Sequence, residues 1–423
     1  MIIKKAERLR GEIRVPGDKS ISHRGVMLGS IAEGTTLLTG FLNGADCIST
    51  MECFREMGVE IKQEGEEVQV RGAGLRGLRK PGRVLDAGNS GTTMRILSGI
   101  LSGQPFEAVL DGDASLRKRP MKRIIDPLTE MGADICSEGG FAPLRIRGGE
   151  LHGIAYESPA ASAQVKSSIL LAGLYAEGET RVKEPFLSRN HTELMLRAFG
   201  ADCMSEGNTA CLRPGRSLHG ISIRVPGDIS SAAYFLGAGL LVPDSEVVIK
   251  EVGINPTRSG ILDVLKRMKA EISVENTHET AGEMAADLIV RSSSLVGTKI
   301  GGEEIPRLID ELPLIAVLAA VAEGQTVIRD AAELKVKESD RIALTVGMLK
   351  DMGAVAYATE DGMVIEGSGS LCGARIRTDK DHRIAMSAAV AGLIAEGETE
   401  ICDPECVRIS YPGFFDTLEG LKH

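Results

Sequence analysis

The chain has 423 residues, 43% apolar and 26% charged, enough for a substantial core and too apolar for intrinsic disorder. That length suits two or three domains, and 50 glycines with only 3% aromatic residues point to many turns and small-residue packing. A formal charge of −10 argues against a nucleic-acid binder that works by neutralising phosphates over a broad surface.

The opening segment MIIKKAERLRGEIRVPG has no apolar core and no cleavage site, so a signal peptide is not expected. Residues 2 to 15 read as a strand. The tetrapeptide VPGD follows at Val15–Asp18 and recurs at Val225–Asp228. After Asp18 comes an apolar segment, HRGVMLGSIA, and further segments of this kind start after Asn89, Ser162, Asp228, Asp310 and Asp381. All six starting residues are types that cap helix N-termini by accepting a backbone N–H bond. The helices TTMRILSGIL, KSSILLAGLY, SAAYFLGAGL, LPLIAVLAAV and IAMSAAVAGL are apolar nearly all round, as is the first, so all six are expected to be buried. LPLIAVLAAVA is too short to span a bilayer and contains Pro313.

Related strand-forming endings follow four of these helices: AEGTTLL, AEGETRV, AEGQTVI and AEGETEI. Amphipathic helices come next, as in STMECFREMG, HTELMLRAFG and RIALTVGMLKDMG. Gly58, Gly132, Gly200 and Gly353 stand where a left-handed C-terminal cap belongs. An alternating strand pair such as VEIKQEGEEVQVRG then closes the unit. The chain is thus read as α/β, built from six copies of a helix–strand–helix–strands unit. The last copy stops at FFDTLEGL, before its strands, so the N-terminal strand is expected to complete it. The expected domains are 16–224, and 1–15 with 225–423 as a discontinuous second domain.

Repeats supply an internal control, because a charge present in one copy only is not required by the fold. Lys19, Ser20 and Arg24 follow Asp18, whereas Asp228 is followed by Ile229, Ser230, Ser231, Ala232, Ala233 and Tyr234. Cations near a helix N-terminus oppose its dipole, so their presence points to a bound anion that amides and cations hold together. Other helix starts repeat the pattern. GNSGTTMR offers small residues with Arg95 behind, GDASLRKRPM offers Arg117, Lys118 and Arg119, and SAQVKSS offers Ser162, Gln164 and Lys166. SRNHTE offers Ser188, Arg189 and His191, KVKESDR offers Lys335, Lys337, Glu338 and Arg341, and DHR offers His382 and Arg383. Six helix N-termini converging on one cleft between two threefold halves would suit small, highly charged anions. Asp310 reads as a cap, and also as a carboxylate sharing that cleft with Lys337, Glu338 and Arg341, the combination acid–base catalysis uses. Asp111 and Asp113 read as turn residues. No phosphate-binding P-loop, zinc-protease pair or dinucleotide fingerprint is present. The eight cysteines lack CxxC spacing and read as unbridged thiols of a cytoplasmic protein, with no metal site.

GDKSISHR, GNSGTTMR, GDASLRKRPM, SAQVKSS, DELPL, KVKESDR, DHRIAMS and SYPGFF, in this order from about residue 10 to 420, resemble the 5-enolpyruvylshikimate-3-phosphate synthase family. The resemblance implies an inside-out α/β barrel fold, with two similar domains of three repeats, helices buried and sheets outside. It implies transfer of the enolpyruvyl group of phosphoenolpyruvate to the 5-hydroxyl of shikimate 3-phosphate, with no metal or organic cofactor. It places Lys19 on both substrates, Ser20 and Arg24 on shikimate 3-phosphate, and Gly91, Arg119, Arg341 and Arg383 on phosphoenolpyruvate. Ser162, Gln164 and Ser188 would line the shikimate phosphate, and Lys337 its hydroxyl side. Asp310 would be the general base, with Glu338 and Lys19 moving protons and His382 supporting Arg383 or Glu338. Glu333 stands where some relatives have Asn. Ile409 stands where some have Lys, so that phosphoenolpyruvate contact is not expected, and His191 stands where an aromatic is often found.

Two other readings compete. A UDP-N-acetylglucosamine enolpyruvyl transferase generally needs a cysteine in the loop equivalent to residues 112 to 120, and none lies there. A non-catalytic repeat scaffold would spread its cations over an outer face without carboxylates among them. The expected protein is a cytoplasmic monomer acting on two small anions, with no nucleic acid and no membrane. It is expected to be open when empty and to close once shikimate 3-phosphate relieves the repulsion between its cations.

Overall fold

A computed structural model describes residues 1–367 and 369–422. The chain forms two compact units. One comprises Gly17–Val225 with Glu279–Glu283, the other Met1–Pro16, Pro226–His278 and Met284–His423. The chain thus passes between units inside each VPGD. At Gly17 a Cβ would lie 1.9 Å from the Gly40 carbonyl oxygen, which accounts for that glycine in sterics alone. Sequence reading missed the five residues 279–283, the tip between strands Glu271–Thr280 and Glu283–Arg291.

Each unit holds three buried helices. The first has α1 (Lys19–Ile31), α2 (Gly91–Ser102) and α3 (Ala163–Gly173). The second has α4 (Ile229–Leu241), α5 (Leu312–Val321) and α6 (His382–Gly392). Every residue from Ile229 to Leu240, from Leu312 to Ala320 and throughout α6 is buried, as all-round apolarity requires. Small residues at the helix crossings let the backbones approach closely, and a Cβ on Gly99 of α2 would lie 2.1 Å from the Ser168 carbonyl of α3.

The caps follow the sequence with two corrections. Asp18, Ser162, Asp228 and Asp381 accept from the first turns of α1, α3, α4 and α6. For α2 the cap is Ser90, not Asn89, with Oγ accepting from Thr93 N at 3.0 Å. Asp310 is not the N-cap of α5: it lies in a 3-10 turn, Ile309–Glu311, before that helix. Pro313 opens α5 without an N–H to be capped, and the Asp310 carboxylate is drawn to Arg341 and Lys337 instead. All four predicted C-terminal glycines have φ between 84° and 103°.

Sheet pairing shows how the copies join. After each hairpin a short strand runs parallel to the leading strand of the next copy. Leu85–Asp86 joins Glu107–Asp111, Ala155–Glu157 joins Thr180–Lys183, and Ser222–Arg224 returns to Thr35–Thr39, closing a ring of three within the first unit. In the second unit Lys299–Ile300 joins Gln325–Ile328, and Arg375–Ile376 joins Glu398–Ile401. The N-terminal segment is two strands rather than one. Ile2–Lys4 pairs antiparallel with Glu398–Ile401 and stands in for the hairpin the last copy lacks, while Arg10–Arg14 runs parallel to Glu246–Gly253 and closes the ring. No helix among the described residues is long and apolar enough to cross a membrane.

Candidate active site

In the first unit the N-termini of α1, α2 and α3 are tied together by side chains. Arg24 is buried. It donates through Nε to Thr192 Oγ1 (2.6 Å), through Nη1 to the Ser20 carbonyl (3.0 Å) and through Nη2 to Ser167 Oγ (2.8 Å). Burial is the main influence that lowers its pKa, to about 10, with Arg189 adding to the effect against Glu193. Arg189 in turn donates to Ser20 Oγ at 3.3 Å, and Lys19 pairs with Asp46 at 3.1 Å.

On α2, Ser90 caps while Gly91 leaves room for two guanidinium groups. A Cβ at Gly91 would lie 2.9 Å from Arg95 Nη1 and 3.5 Å from Arg119 Nη1. Arg119 is held by Asn89, donating to its Oδ1 at 2.6 Å and to its carbonyl at 3.3 Å. Arg95 donates to Gln164 Oε1 at 2.7 Å, and Gln164 Nε2 donates to Thr92 Oγ1 at 3.0 Å, joining α2 to α3. Behind α1, His23 Nδ1 meets Thr50 Oγ1 at 2.7 Å, which meets Thr93 Oγ1 at 2.7 Å, which donates to Ser90 Oγ at 2.8 Å. Burial, then Lys19 and Arg24, push the His23 pKa well below its ordinary value, so the imidazole is neutral.

The second unit gathers carboxylates with its cations. Arg341 is 1% exposed and contacts three acids: Asp381 Oδ2 at 2.8 Å, Asp310 Oδ1 at 3.1 Å and Glu338 Oε2 at 2.5 Å. Lys337 Nζ also lies 3.4 Å from Asp310 Oδ1. Burial works against the Arg341 charge, but Asp381, Glu338 and Asp310 outweigh it and raise the pKa far above the ordinary value. Arg383 is 4% exposed, and its Nε and Nη1 have no hydrogen-bond acceptor among the described residues. Burial opposes its charge too, and Tyr234, Asp310, Asp228 and Glu311 more than offset it. A buried guanidinium with unfilled donors has the chemistry to receive an anion. Beside it, Arg258 reaches Ser230 Oγ at 2.5 Å and Asp228 at 3.4 Å, and Ser230 Oγ donates to Glu311. Burial raises the Glu311 pKa, with Asp310 adding to it against Arg258.

Lys19, Ser20, Arg24, Gly91, Arg119, Ser162, Gln164 and Ser188 therefore lie in the first unit, and Asp310, Lys337, Glu338, Arg341 and Arg383 in the second. Several sequence candidates fall outside these sets. Lys166 is 1% exposed and spent on Glu184 (2.8 Å) and Glu193 (2.9 Å), which raise its pKa despite burial. Arg117 forms a surface pair with Asp111, and Lys335 donates to the Glu360 carbonyl. His191 meets Glu283 of the hairpin tip at 2.6 Å. Sequence reading missed Asp46, Glu184, Arg258 and Asp381 as partners of the candidate site residues, because each has a partner 22 to 40 residues away in the chain. Among the described residues no group of three or more His, Cys, Asp or Glu side chains could hold a metal ion.

The model of the family EPSP synthase (3-phosphoshikimate 1-carboxyvinyltransferase) matches residues 3–418. The chain belongs to the EPSP synthase family. It is 57% identical over 415 residues to a 3-phosphoshikimate 1-carboxyvinyltransferase of Bacillus thuringiensis subsp. konkukian, covering 98% of this chain and 97% of that relative. A protein of the same name from Brevibacillus brevis is 55% identical over 418 residues, covering 98% of each. Among solved structures, an EPSP synthase from Acinetobacter baumannii matches with a TM-score of 0.90 and 49% identity, covering 100% of this chain and 97% of that one. An enolpyruvyl transferase from Streptomyces tendae matches with a TM-score of 0.81 at 19% identity over 99% of this chain and 96% of that one, a likeness of fold alone.

Proposed function

We infer that the two cationic sets serve one reaction, the enolpyruvyl transfer of the EPSP synthase family. The chain is a 3-phosphoshikimate 1-carboxyvinyltransferase: the 5-hydroxyl of shikimate 3-phosphate adds to C2 of phosphoenolpyruvate as C3 takes a proton, and phosphate then leaves as C3 gives a proton up. Both substrates are anions, and both sets are built to hold anions.

In this reading Ser20, Arg24, Ser162, Gln164 and Ser188 receive shikimate 3-phosphate, and Lys19 touches both substrates. Gly91, Arg119, Arg341 and Arg383 receive phosphoenolpyruvate, and Lys337 meets the shikimate hydroxyl side. Asp310 takes the hydroxyl proton, while Glu338 and Lys19 move protons at C3 and the leaving phosphate. The observation that carries the site is Arg383, a buried guanidinium with two unfilled donors beside the Asp310 carboxylate. Each unit is read as an inside-out α/β barrel of three repeats, supported by the buried helices and ring-closing strands. A monomer working in the cytoplasm on small molecules, without nucleic acid, completes the reading.

A phosphate-release assay tests it. Release is expected with phosphoenolpyruvate plus shikimate 3-phosphate, and none when UDP-N-acetylglucosamine replaces the latter. Release only with the nucleotide sugar, or with neither acceptor, overturns the reading.

A further inference from the structure

We propose that Glu184 is a positioning residue for the phosphate of shikimate 3-phosphate: it holds Ser162 and Ser188 and stores the Ser188 hydroxyl hydrogen until the phosphate takes it. This rests on the assignment of Ser188 to that phosphate.

Glu184 directly follows the strand Thr180–Lys183 and is 1% exposed. Its Oε1 accepts from Ser162 N at 2.8 Å. Its Oε2 accepts from Ser188 Oγ at 2.8 Å, from Ser188 N at 3.3 Å and from Lys166 Nζ at 2.8 Å. One carboxylate thus ties together two segments 22 and 4 residues away. The Ser162 side chain caps α3 only at 3.5 Å, so the bond from its backbone to Glu184 is the shorter restraint on that helix start. Lys166 balances the buried charge and also reaches the Ser188 carbonyl at 3.4 Å.

A serine hydroxyl has one hydrogen and two lone pairs. The Ser188 hydrogen points to Glu184, while a phosphate dianion offers acceptors only. Ser188 can therefore contact the phosphate as a donor only by turning that hydrogen away from Glu184. Glu184 then keeps Ser162 N, Ser188 N and Lys166, so no buried acceptor is stranded and Oγ need not move. The swap is cheap because the carboxylate has donors to spare. A glutamine could not do this, since its single amide oxygen cannot serve donors on both sides and its NH₂ would face either the Ser162 N–H or Lys166 and Ser188.

The test is steady-state kinetics on Ser188→Ala, Glu184→Gln and the double variant. Glu184→Gln is expected to raise the KM for shikimate 3-phosphate about tenfold, the worth of one charge-assisted hydrogen bond, with the phosphoenolpyruvate KM within about twofold. Glu184→Asp, which keeps the charge, should fall between wild type and Glu184→Gln, and it carries the same comparison if Glu184→Gln fails to fold. The double variant should be no worse than the worse single one, because both act through one hydroxyl. Unchanged KM values, an equal rise for both substrates, or additive effects overturn the proposal. If Ser188→Ala leaves the shikimate 3-phosphate KM unchanged, the assignment of Ser188 fails instead, and the proposal falls with it.

Discussion

Arg341 donates through Nε to Asp381 Oδ2 at 2.8 Å, and neither side chain is more than 1% exposed. The same guanidinium reaches Asp310 and Glu338, so one buried cation organises three acids at the starts of α5, α6 and the helix Arg341–Asp351. Arg341→Met should destabilise the protein by about 3–5 kcal/mol, because it strands buried carboxylates. Arg341→Lys keeps the charge but cannot bridge three partners with one plane, and should lose less. Urea unfolding of both variants checks this, and equal losses would show that geometry adds nothing to charge.

Asp310 should be the residue whose amide variant separates binding from turnover. Asp310→Asn keeps size and an acceptor oxygen but cannot take a proton at neutral pH. The expected outcome is a kcat lower by about 10²–10⁴-fold with shikimate 3-phosphate binding retained. Calorimetric titration beside initial rates separates the two quantities, and a near-normal kcat would remove Asp310 as the base.

Gly91→Ala should act on both substrates, on phosphoenolpyruvate at Gly91 itself and on shikimate 3-phosphate through the Arg95–Gln164 hydrogen bond. The new Cβ would meet Arg95 Nη1 at 2.9 Å, displacing that guanidinium, and would stand in ordinary contact with Arg119 Nη1 at 3.5 Å. Alanine is also favoured over glycine within a helix by roughly 0.5–1 kcal/mol, so folding should not suffer. The KM values for both substrates are expected to rise several-fold with the melting temperature unchanged or higher. A lower melting temperature with unaltered KM would contradict this.

His23 makes stability fall in acid. Its folded pKa lies well below 6.5, because burial, Lys19 and Arg24 disfavour the imidazolium. Below pH 6.5 the unfolded chain binds a proton there that the folded chain does not, so its share of stability is lost as pH falls from 6.5 toward the folded value. His23→Asn should therefore lose less stability than wild type over that interval in urea titrations. Parallel curves would mean that His23 charges in place.

Much of the candidate site was legible because the repeats are their own control. Lys19 and Arg24 stood out against Ile229 and Tyr234, at matching places after the two VPGD caps. What misled was similarity of context. Lys166 sits at a helix start as Lys19 does, and Arg117 lies two residues from Arg119, yet Lys166 is consumed by Glu184 and Glu193 and Arg117 by Asp111. Asp310 read both as a cap, because the other copies have one there, and as a carboxylate grouped with Lys337, Glu338 and Arg341; its contacts with Arg341 and Lys337 support the second use.

Sequence alone determined the copies, the buried faces, most helix caps and the left-handed glycines, since those depend on periodicity and on partners within about four residues. Tertiary structure decided which cations are spent in the fold and which carboxylates hold them. It also decided that residues 2–4 and 10–14 enter two different sheets. Those outcomes rest on groups tens to hundreds of residues apart, and a buried charge is settled only by the partner that the folded chain brings to it.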